Sequence, residues 1–176
     1  MAQKYYRDFR EHLKALEERG KLVRIKREIN KDTELMPLVR WQFRGLDERD
    51  RKAFMFENIV DAKGKRYSMP VTVGTLAATT EIYAIGMMCE PDQIPERWNQ
   101  AQLHPFDPVK VSKAAVQEMV WQGQDILNGH GLDMLPVPIS TPGFDNAPYL
   151  TSANWITKDP ETGIYNIGNY RSQIKS

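Results

Sequence analysis

The sequence has very little cysteine and no uninterrupted apolar stretch long enough to cross a membrane. Cys89 is the one cysteine among the 176 residues, which excludes an internal disulfide and a cluster of thiolate metal ligands. It follows two methionines in an apolar stretch, so we expect a small buried thiol rather than a nucleophile. The polar N-terminus lacks the apolar core of a signal peptide. We therefore expect a cytoplasmic protein that does not contact a membrane.

The sequence also lacks an excess of charge of either sign. Lys and Arg together number 24, against 23 for Asp and Glu, and no basic stripe of the kind that binds nucleic acid is present. The densest charged run, residues 47–52, alternates in sign and predicts a solvated loop, with a salt-bridged docking patch as the alternative. The balance of charge argues against a nucleic-acid partner.

Familiar catalytic and nucleotide-binding motifs are absent from the sequence. It contains no G-x-G-x-x-G, P-loop, H-E-x-x-H or G-x-S-x-G motif, and its three histidines are far apart. His12 lies beside the apolar stripe of a predicted helix, and we expect it to be partly exposed on the helix surface. His104 is next to a proline in a predicted linker and receives no role.

Residues up to about 130 alternate predicted helices and strands. Phe9, Leu13 and Leu16 have helical spacing, and Gly20 suits the left-handed conformation that ends such a helix. Asp32 or Thr33 is expected to cap the second helix. The predicted elements are helix 5–19, strand 21–28, helix 32–44, strands 53–56 and 70–73, and helices 79–88 and 92–102. This order predicts an α/β N-terminal domain.

Prolines and β-forming residues dominate the rest of the chain. Residues 104–108 read as a linker, 116–121 as either strand or helix, and 135–139 as an extended passage. Residues 149–157 and 164–174 are predicted to pair as a hairpin around a turn at 160–163. Two strands alone are marginal in water and leave open edges, so we expect the sheet to be incomplete in this chain.

The last predicted strand carries the residues with the clearest chemistry. Asn166 offers a neutral oxygen, Gly168 allows a ligand close to the backbone, and Arg171 offers a bidentate charged fork. These types suit a phosphate and a hard cation. The alternative is the polar outer face of a strand, and the residues alone favour that alternative.

The order of several short motifs resembles one enzyme family. The chain closely resembles UbiD-type decarboxylases in the C-terminal strings 135–138, 141–143, 148–151, 157–163 and 166–173. The N-terminal strings 16–25, 54–59 and 70–74 are similar too, but less specific. The resemblance implies an α/β (α+β) fold: an N-terminal α/β domain over residues 1–130, then, over 131–176, the first strands of a flavin-reductase-like split β-barrel.

The resemblance also implies an activity and a set of cofactors. Family members catalyse reversible, non-oxidative decarboxylation of aromatic or α,β-unsaturated carboxylic acids with prenylated FMN, a divalent metal, usually Mn²⁺, and K⁺. The resemblance implies that Asn166 is a metal ligand and that the Ile167 carbonyl is a potassium ligand. It also implies that Arg171 contacts the flavin and joins the catalytic ion-pair network. The remaining expected cofactor-binding residues are Thr151, Gly168, Asn169 and Tyr170.

The chain departs from the family in length. The resemblance implies further metal ligands, a histidine and a glutamate, and two acidic partners of the arginine, all beyond residue 176. Three hypotheses follow: the N-terminal portion of a longer decarboxylase, a short subunit completed by another polypeptide, and a non-catalytic interaction module. The family also implies a homo-oligomer.

Overall fold

The computed structural model describes residues 5–175, so residues 1–4 of the polar N-terminus and Ser176 lie outside it. The helices are α1 (Phe9–Glu18), α2 (Leu35–Gly45), α3 (Thr80–Met87) and α4 (Ile94–Leu103). The strands are β1 (Leu22–Asn30), β2 (Ala53–Val60), β3 (Arg66–Tyr67), β4 (Val71–Val73), β5 (Tyr149–Leu150), β6 (Asn154–Lys158), β7 (Tyr165–Asn169) and β8 (Ser172–Gln173). The predicted α/β (α+β) class is confirmed. No helix in this part of the chain has the length and apolar character to span a membrane.

Local signals define α1 at both ends. The Asp8 carboxylate accepts the Glu11 N–H at 3.0 Å and caps the first turn. Gly20 follows the last turn with φ +65°, where a side chain would be strained. The N–H of Lys21 then reaches the Leu16 carbonyl at 2.7 Å, so the helix ends as predicted.

The expectation that His12 is partly exposed is wrong. Its side chain is buried, and Nε2 donates to the Thr75 carbonyl at 2.8 Å, because a carbonyl can only accept. Nδ1 is also buried and has no hydrogen-bond partner in the described part of the chain. The helical period places His12 on the face of α1 that packs towards α3, which periodicity alone did not predict.

The N-terminal sheet is built around β2. It pairs in parallel with β1 and in antiparallel with β3 and β4. The register of β1 shifts between Ile25 and Glu28, as in a β-bulge. Since α2 connects two parallel strands, residues 22–60 form a β–α–β unit.

The cap of α2 differs from the prediction of Asp32 or Thr33. The residue before the helix is Glu34, whose carboxylate accepts the Asn30 N–H at 2.8 Å instead of capping α2. The Asp32 carboxylate is held by the Lys31 ammonium at 2.6 Å and the Ala62 N–H at 3.0 Å. It is therefore engaged elsewhere and does not cap the helix.

Two apolar clusters form the core. One joins α1 to α3 and the start of β2, and the other packs α2 on the sheet. Their fully buried members include Leu16 and Ile82 in the first cluster, and Ile29, Leu35 and Phe56 in the second. Burial of each large aliphatic or aromatic side chain stabilises the fold by about 1.5–3 kcal/mol.

The start of α3 involves the charged run 47–52. Thr79 caps the helix by accepting the Ile82 N–H at 3.0 Å. Glu48, in the exposed turn Glu48–Asp50, accepts both the N–H and the hydroxyl of Thr80, at 2.7 and 2.6 Å. Cys89, expected to be buried, is partly exposed just after this helix.

Residues 104–148 contain little regular structure. After α4 ends at Leu103, as the predicted linker requires, the segment 116–121 is neither strand nor a full helix and adds only the short turn Ala115–Gln117. The proline passage 135–139 lies outside helices and strands, which agrees with the prediction.

Candidate functional site

The predicted hairpin is present, with its turn formed by local hydrogen bonds. β6 and β7 are antiparallel, with Thr157 opposite Asn166 and Trp155 opposite Gly168. In the turn, the Asp159 carboxylate accepts the N–H groups of Glu161 and Thr162 at 2.7 and 3.1 Å. These hydrogen bonds, that from Thr162 above all, lower the pKa of the Asp159 carboxyl.

The hairpin is interrupted once, at the place where Thr151 and Arg171 lie. β5 and β8 pair again beyond β6 and β7, with Tyr149 opposite Gln173. Between the two paired regions, residues 151–153 lie against 170–171, so one strand is a residue longer than the other. Such an irregularity turns side chains out of the regular alternation. Thr151 therefore lies in a bend rather than on a regular strand.

Ile167 lies at the open edge of the hairpin. The ladder bonds from Asp159 N–H to the Ile164 carbonyl (2.9 Å) and from Tyr170 N–H to the Ala153 carbonyl (3.3 Å) bracket β7. Because bonded pairs alternate along an antiparallel ladder, the backbone groups of Ile167 point away from β6. Within residues 5–175, no other strand pairs with this edge of β7.

Gly168 is covered by an aromatic ring. A Cβ at this position would come within 2.9 Å of Tyr170 Cζ, a distance at which the ring would have to move. The Trp155 indole N–H donates to the Tyr170 carbonyl at 3.1 Å and holds the strand end in place. Gly168 is thus required for the position of Tyr170.

Arg171 has an aromatic neighbour but no acidic one among the described residues. Its guanidinium carbon lies 5.9 Å from the centre of the Tyr149 ring, within the range of a cation–π contact. No carboxylate in residues 5–175 lies within ion-pair distance. The side chain is exposed, so its charge is available to an anionic ligand.

A cleft of about 880 Å³ separates the hairpin from the N-terminal domain. Its walls include residues 70–78 on one side, and 135–138 and 149–152 on the other. None of the residues that line it is charged. Thr151 is the one predicted site residue among them, while Asn166, Ile167, Gly168, Asn169, Tyr170 and Arg171 lie outside.

The described residues do not form a complete metal site. Residues 5–175 contain no cluster of three or more His, Cys, Asp or Glu side chains. Asn166 is exposed on β7, and with the Ile167 carbonyl it supplies oxygen atoms of the type that hard cations bind. A hard cation takes about six such ligands, so these two groups are part of a site only.

The sequence did not single out two supporting residues. Tyr149 lies under Arg171, and Trp155 bonds the Tyr170 carbonyl. The predicted turn at 160–163 contains the signal that was missed, because the turn sets the register. Counting back along both strands from it places residue 155 opposite Gly168, inside the motif, whereas the position of residue 149 depends on the break in the hairpin.

Two family models match the chain and between them span most of its length. The N-terminal domain of 3-octaprenyl-4-hydroxybenzoate carboxy-lyase matches residues 13–102. The Rift-related domain of the same carboxy-lyase, the UbiD domain, matches residues 108–176.

Solved structures of UbiD-class enzymes are similar to the chain. The UbiD-class enzyme HmfF from Pelotomaculum thermopropionicum, in complex with FMN, is 30% identical with a TM-score of 0.73, over 92% of this chain and 33% of that one. The vanillic acid decarboxylase of Sedimentibacter hydroxybenzoicus, in an open form with truncated ShVdcD, is 25% identical with a TM-score of 0.78, over 99% and 36%. The 3,4-dihydroxybenzoic acid decarboxylase of Klebsiella pneumoniae, 22% identical with a TM-score of 0.78, over 97% and 35%, supports the fold alone.

The chain spans about a third of the length of these solved structures. The match to the N-terminal model covers half of the chain, and the UbiD match begins shortly after it and includes the hairpin with Asn166 and Arg171. The two family models match in the order N-terminal domain, then UbiD domain. The chain therefore belongs to the UbiD family.

Proposed function

We propose that this chain is the N-terminal portion of a UbiD-like carboxy-lyase. The complete enzyme would catalyse reversible, non-oxidative decarboxylation of an aromatic or α,β-unsaturated carboxylic acid with prenylated FMN. The observation that carries the proposal is the juxtaposition of Thr151 and Arg171 at the break in the hairpin, in a chain whose family match includes both. HmfF, solved with FMN and, in an evolved dimeric form, with prenylated FMN, supports the choice of cofactor.

The residues on β7 and at its end fit the phosphate end of such a flavin and its cations. Asn166 presents an amide oxygen for Mn²⁺ or another divalent ion, and the outward carbonyl of Ile167 suits K⁺. Gly168 lets the Tyr170 ring lie against the strand, where that ring would border the cofactor. Asn169 and Thr151 would complete the contacts. When bound, the flavin supplies an electron sink for the carbon that loses the carboxylate.

Arg171 would bind and orient the carboxylate of the substrate. Its planar guanidinium can donate two parallel hydrogen bonds to a carboxylate, which fixes direction as well as position. The Tyr149 ring, 5.9 Å from the guanidinium carbon, restricts where the charge can lie. The lining of the cleft beside Thr151 is uncharged, which suits the apolar part of such an acid.

The remaining groups of the site would come from further chain, or from a second subunit. Trp155, Ile156, Tyr165 and Ile167 lie exposed on the hairpin, which favours additional protein packed against it. The Sedimentibacter enzyme ShVdcCD was solved with a truncated ShVdcD, which supports the alternative of a short subunit, catalytic or not, completed by another polypeptide. We also propose a homo-oligomer in the cytoplasm, with a domain boundary after residue 130.

The test is an assay of the complete or assembled enzyme. It is loaded with prenylated FMN, Mn²⁺ and K⁺, given a panel of aromatic and α,β-unsaturated acids, and monitored for CO₂ release and for the decarboxylated product. Parallel preparations omit the prenylated flavin, replace it with FMN, or omit the divalent ion. Turnover only in the fully loaded preparation supports the proposal, and activity that is independent of the flavin contradicts it.

A further inference from the structure

Arg40 connects the N-terminal domain to the turn that follows the proline passage and precedes the hairpin. It lies on α2 and is partly buried. Its Nη2 donates to the Ser140 carbonyl at 2.9 Å and to the Thr141 hydroxyl at 3.0 Å. No carboxylate in residues 5–175 lies within ion-pair distance of it, so its charge is directed at two neutral oxygens of a distant segment.

The contact with Arg40 fixes a turn. The Asp145 carboxylate accepts the Thr141 N–H at 2.7 Å, and the N–H groups of Phe144 and Asp145 both donate to the Thr141 carbonyl at 3.0 Å. Thr141 is therefore held from within its own turn and, through Arg40, from α2. A group held from two sides transmits a displacement of one side to the other.

This turn leads directly into the strands that carry the proposed site. β5 begins at Tyr149, shortly after the turn, and is followed by Thr151. Its partner β8 begins immediately after Arg171, and the Ile174 N–H closes the pair with a 2.9 Å bond to the Pro148 carbonyl. Ser140 and Thr151 line the same cleft. A shift of the turn would thus move both Thr151 and Arg171 relative to the N-terminal domain.

We propose that Arg40 is a positioning residue for the flavin and substrate site. It holds the turn at Thr141 against α2 and so sets where β5 and β8 present Thr151 and Arg171. The effects on flavin binding and turnover rest on the proposed function. The tether, by which we mean the hydrogen bonds from Arg40 to Ser140 and Thr141, does not depend on it.

The functional test compares variants of the complete enzyme loaded with prenylated FMN, Mn²⁺ and K⁺. Arg40→Ala is expected to raise the flavin Kd, and to lower kcat per bound flavin, each by roughly 10-fold, because small misplacements of a site are costly. Arg40→Lys should recover part of both, since it still donates. Thr141→Val should change the flavin Kd and kcat by a smaller factor. In the double variant it should add nothing to the effect of Arg40→Ala, because the two residues act through one contact.

Arg24→Ala is the matched control. The Arg24 guanidinium contacts Glu17, Met55 and Glu57 within the N-terminal domain and, among the described residues, makes no hydrogen bond with the turn at Thr141. A loss of general stability would affect both variants alike and leave kcat per bound flavin unchanged. The positioning role is refuted if Arg40→Ala and Arg24→Ala agree within about twofold in flavin Kd and in kcat per bound flavin, a difference too small for a misplaced site.

Hydrogen exchange without flavin tests the tether by itself. In the complete protein, Arg40→Ala should speed exchange of the Ile174 amide by roughly 10-fold relative to Arg24→Ala, because the β5–β8 pair loses its anchor. Equal exchange in the two variants would overturn the tether whatever the activity. If the unsubstituted enzyme binds no flavin, the proposed function fails, and the exchange result still decides whether Arg40 holds the hairpin.

Discussion

Asn166 and Arg171 lie close together in the sequence but offer a ligand different chemistry. Asn166 presents a neutral amide oxygen on the exposed β7, and Arg171 presents a fixed charge above the Tyr149 ring. A neutral oxygen contributes to cation affinity, whereas a guanidinium can bind and orient a carboxylate. Substitutions at the two positions should therefore affect different steps.

Asn166→Ala is expected to weaken metal-dependent flavin binding in the complete enzyme. It removes one oxygen ligand, so the flavin Kd should rise in the presence of Mn²⁺ and change little in its absence. Asn166→Asp keeps an oxygen and should retain the metal dependence. Flavin absorbance in titrations with and without Mn²⁺ measures both. Equal metal dependence in the alanine variant and the unsubstituted enzyme would indicate that Asn166 lies only on a solvent-facing strand.

Arg171→Ala is expected to lower turnover more than cofactor occupancy. Loss of a preorganised charge at the reacting carboxylate should reduce kcat by about 10²-fold or more. Arg171→Lys should recover little, because a point charge does not reproduce the planar fork. kcat and flavin occupancy are measured on the same preparations. Near-normal kcat in Arg171→Ala would exclude the catalytic role.

At the scale of elements, the β2–β3 connection depends on the ionised form of one carboxyl group. Asp61 Oδ1 accepts the N–H groups of Lys63 and Lys65, both at 2.9 Å, and Oδ2 accepts the Tyr67 hydroxyl at 3.1 Å. Burial opposes ionisation, but these hydrogen bonds outweigh it and lower the pKa of Asp61. Burial and Asp61 raise the pKa of Tyr67 to about 12.

These shifts predict how stability depends on pH. The pKa of Asp61 is lower in the folded state, so its contribution is present above the ordinary value of 3.8 and is lost as the pH falls below it. Asp61→Asn should cost about 1 kcal/mol at neutral pH and flatten this acid-side loss. Urea unfolding at several pH values between about 3 and 7, which include the ordinary carboxyl pKa, measures the free energy of unfolding of both proteins. If the free energy of unfolding of the variant fell with pH as steeply as that of the unsubstituted protein, Asp61 would not be the cause of the acid-side loss.

β7 predicts an alternating pattern of hydrogen exchange. The amides of Asn166 and Gly168 belong to pairs bonded to β6, whereas those of Tyr165, Ile167 and Asn169 point to the open edge. In the isolated chain the amides at the open edge should exchange faster than those bonded to β6. The bonded amides of the same strand serve as the control. Uniform protection along β7 would show that another strand covers this edge. Residue-resolved exchange measured by NMR makes the comparison.

At the scale of the whole molecule, the expectation is that residues 1–176 alone do not catalyse decarboxylation. Their described part supplies one side-chain metal ligand of the motif, no cluster of metal-ligating side chains and no carboxylate paired with Arg171. The isolated chain should bind prenylated FMN weakly and release no CO₂ from the panel of acids. The complete enzyme, assayed in parallel, is the control. Robust turnover by the isolated chain would contradict this expectation.

Local interactions made much of the fold predictable. Helix α1, its end at Gly20, the cap at Thr79 and the turn after Asp159 each depend on neighbours a few residues away. Such contacts follow from residue type and spacing, which any sequence displays. The hairpin that carries Asn166 and Arg171 was predictable for the same reason, and the family motif falls on its second strand.

Residue types and their spacing were enough to predict the helices, most of the strands, the hairpin and the family. The packing of the elements was needed to show that His12 is buried against Thr75, that Asp32 is engaged by Lys31, and that Arg40 holds the Thr141 turn. It also decided where the hairpin breaks. Some of these contacts depend on how whole elements pack against each other. Others depend on which of several groups binds the same side chain, as for the Asp32 carboxylate. Periodicity and propensity describe each element separately, so they cannot specify which surfaces meet.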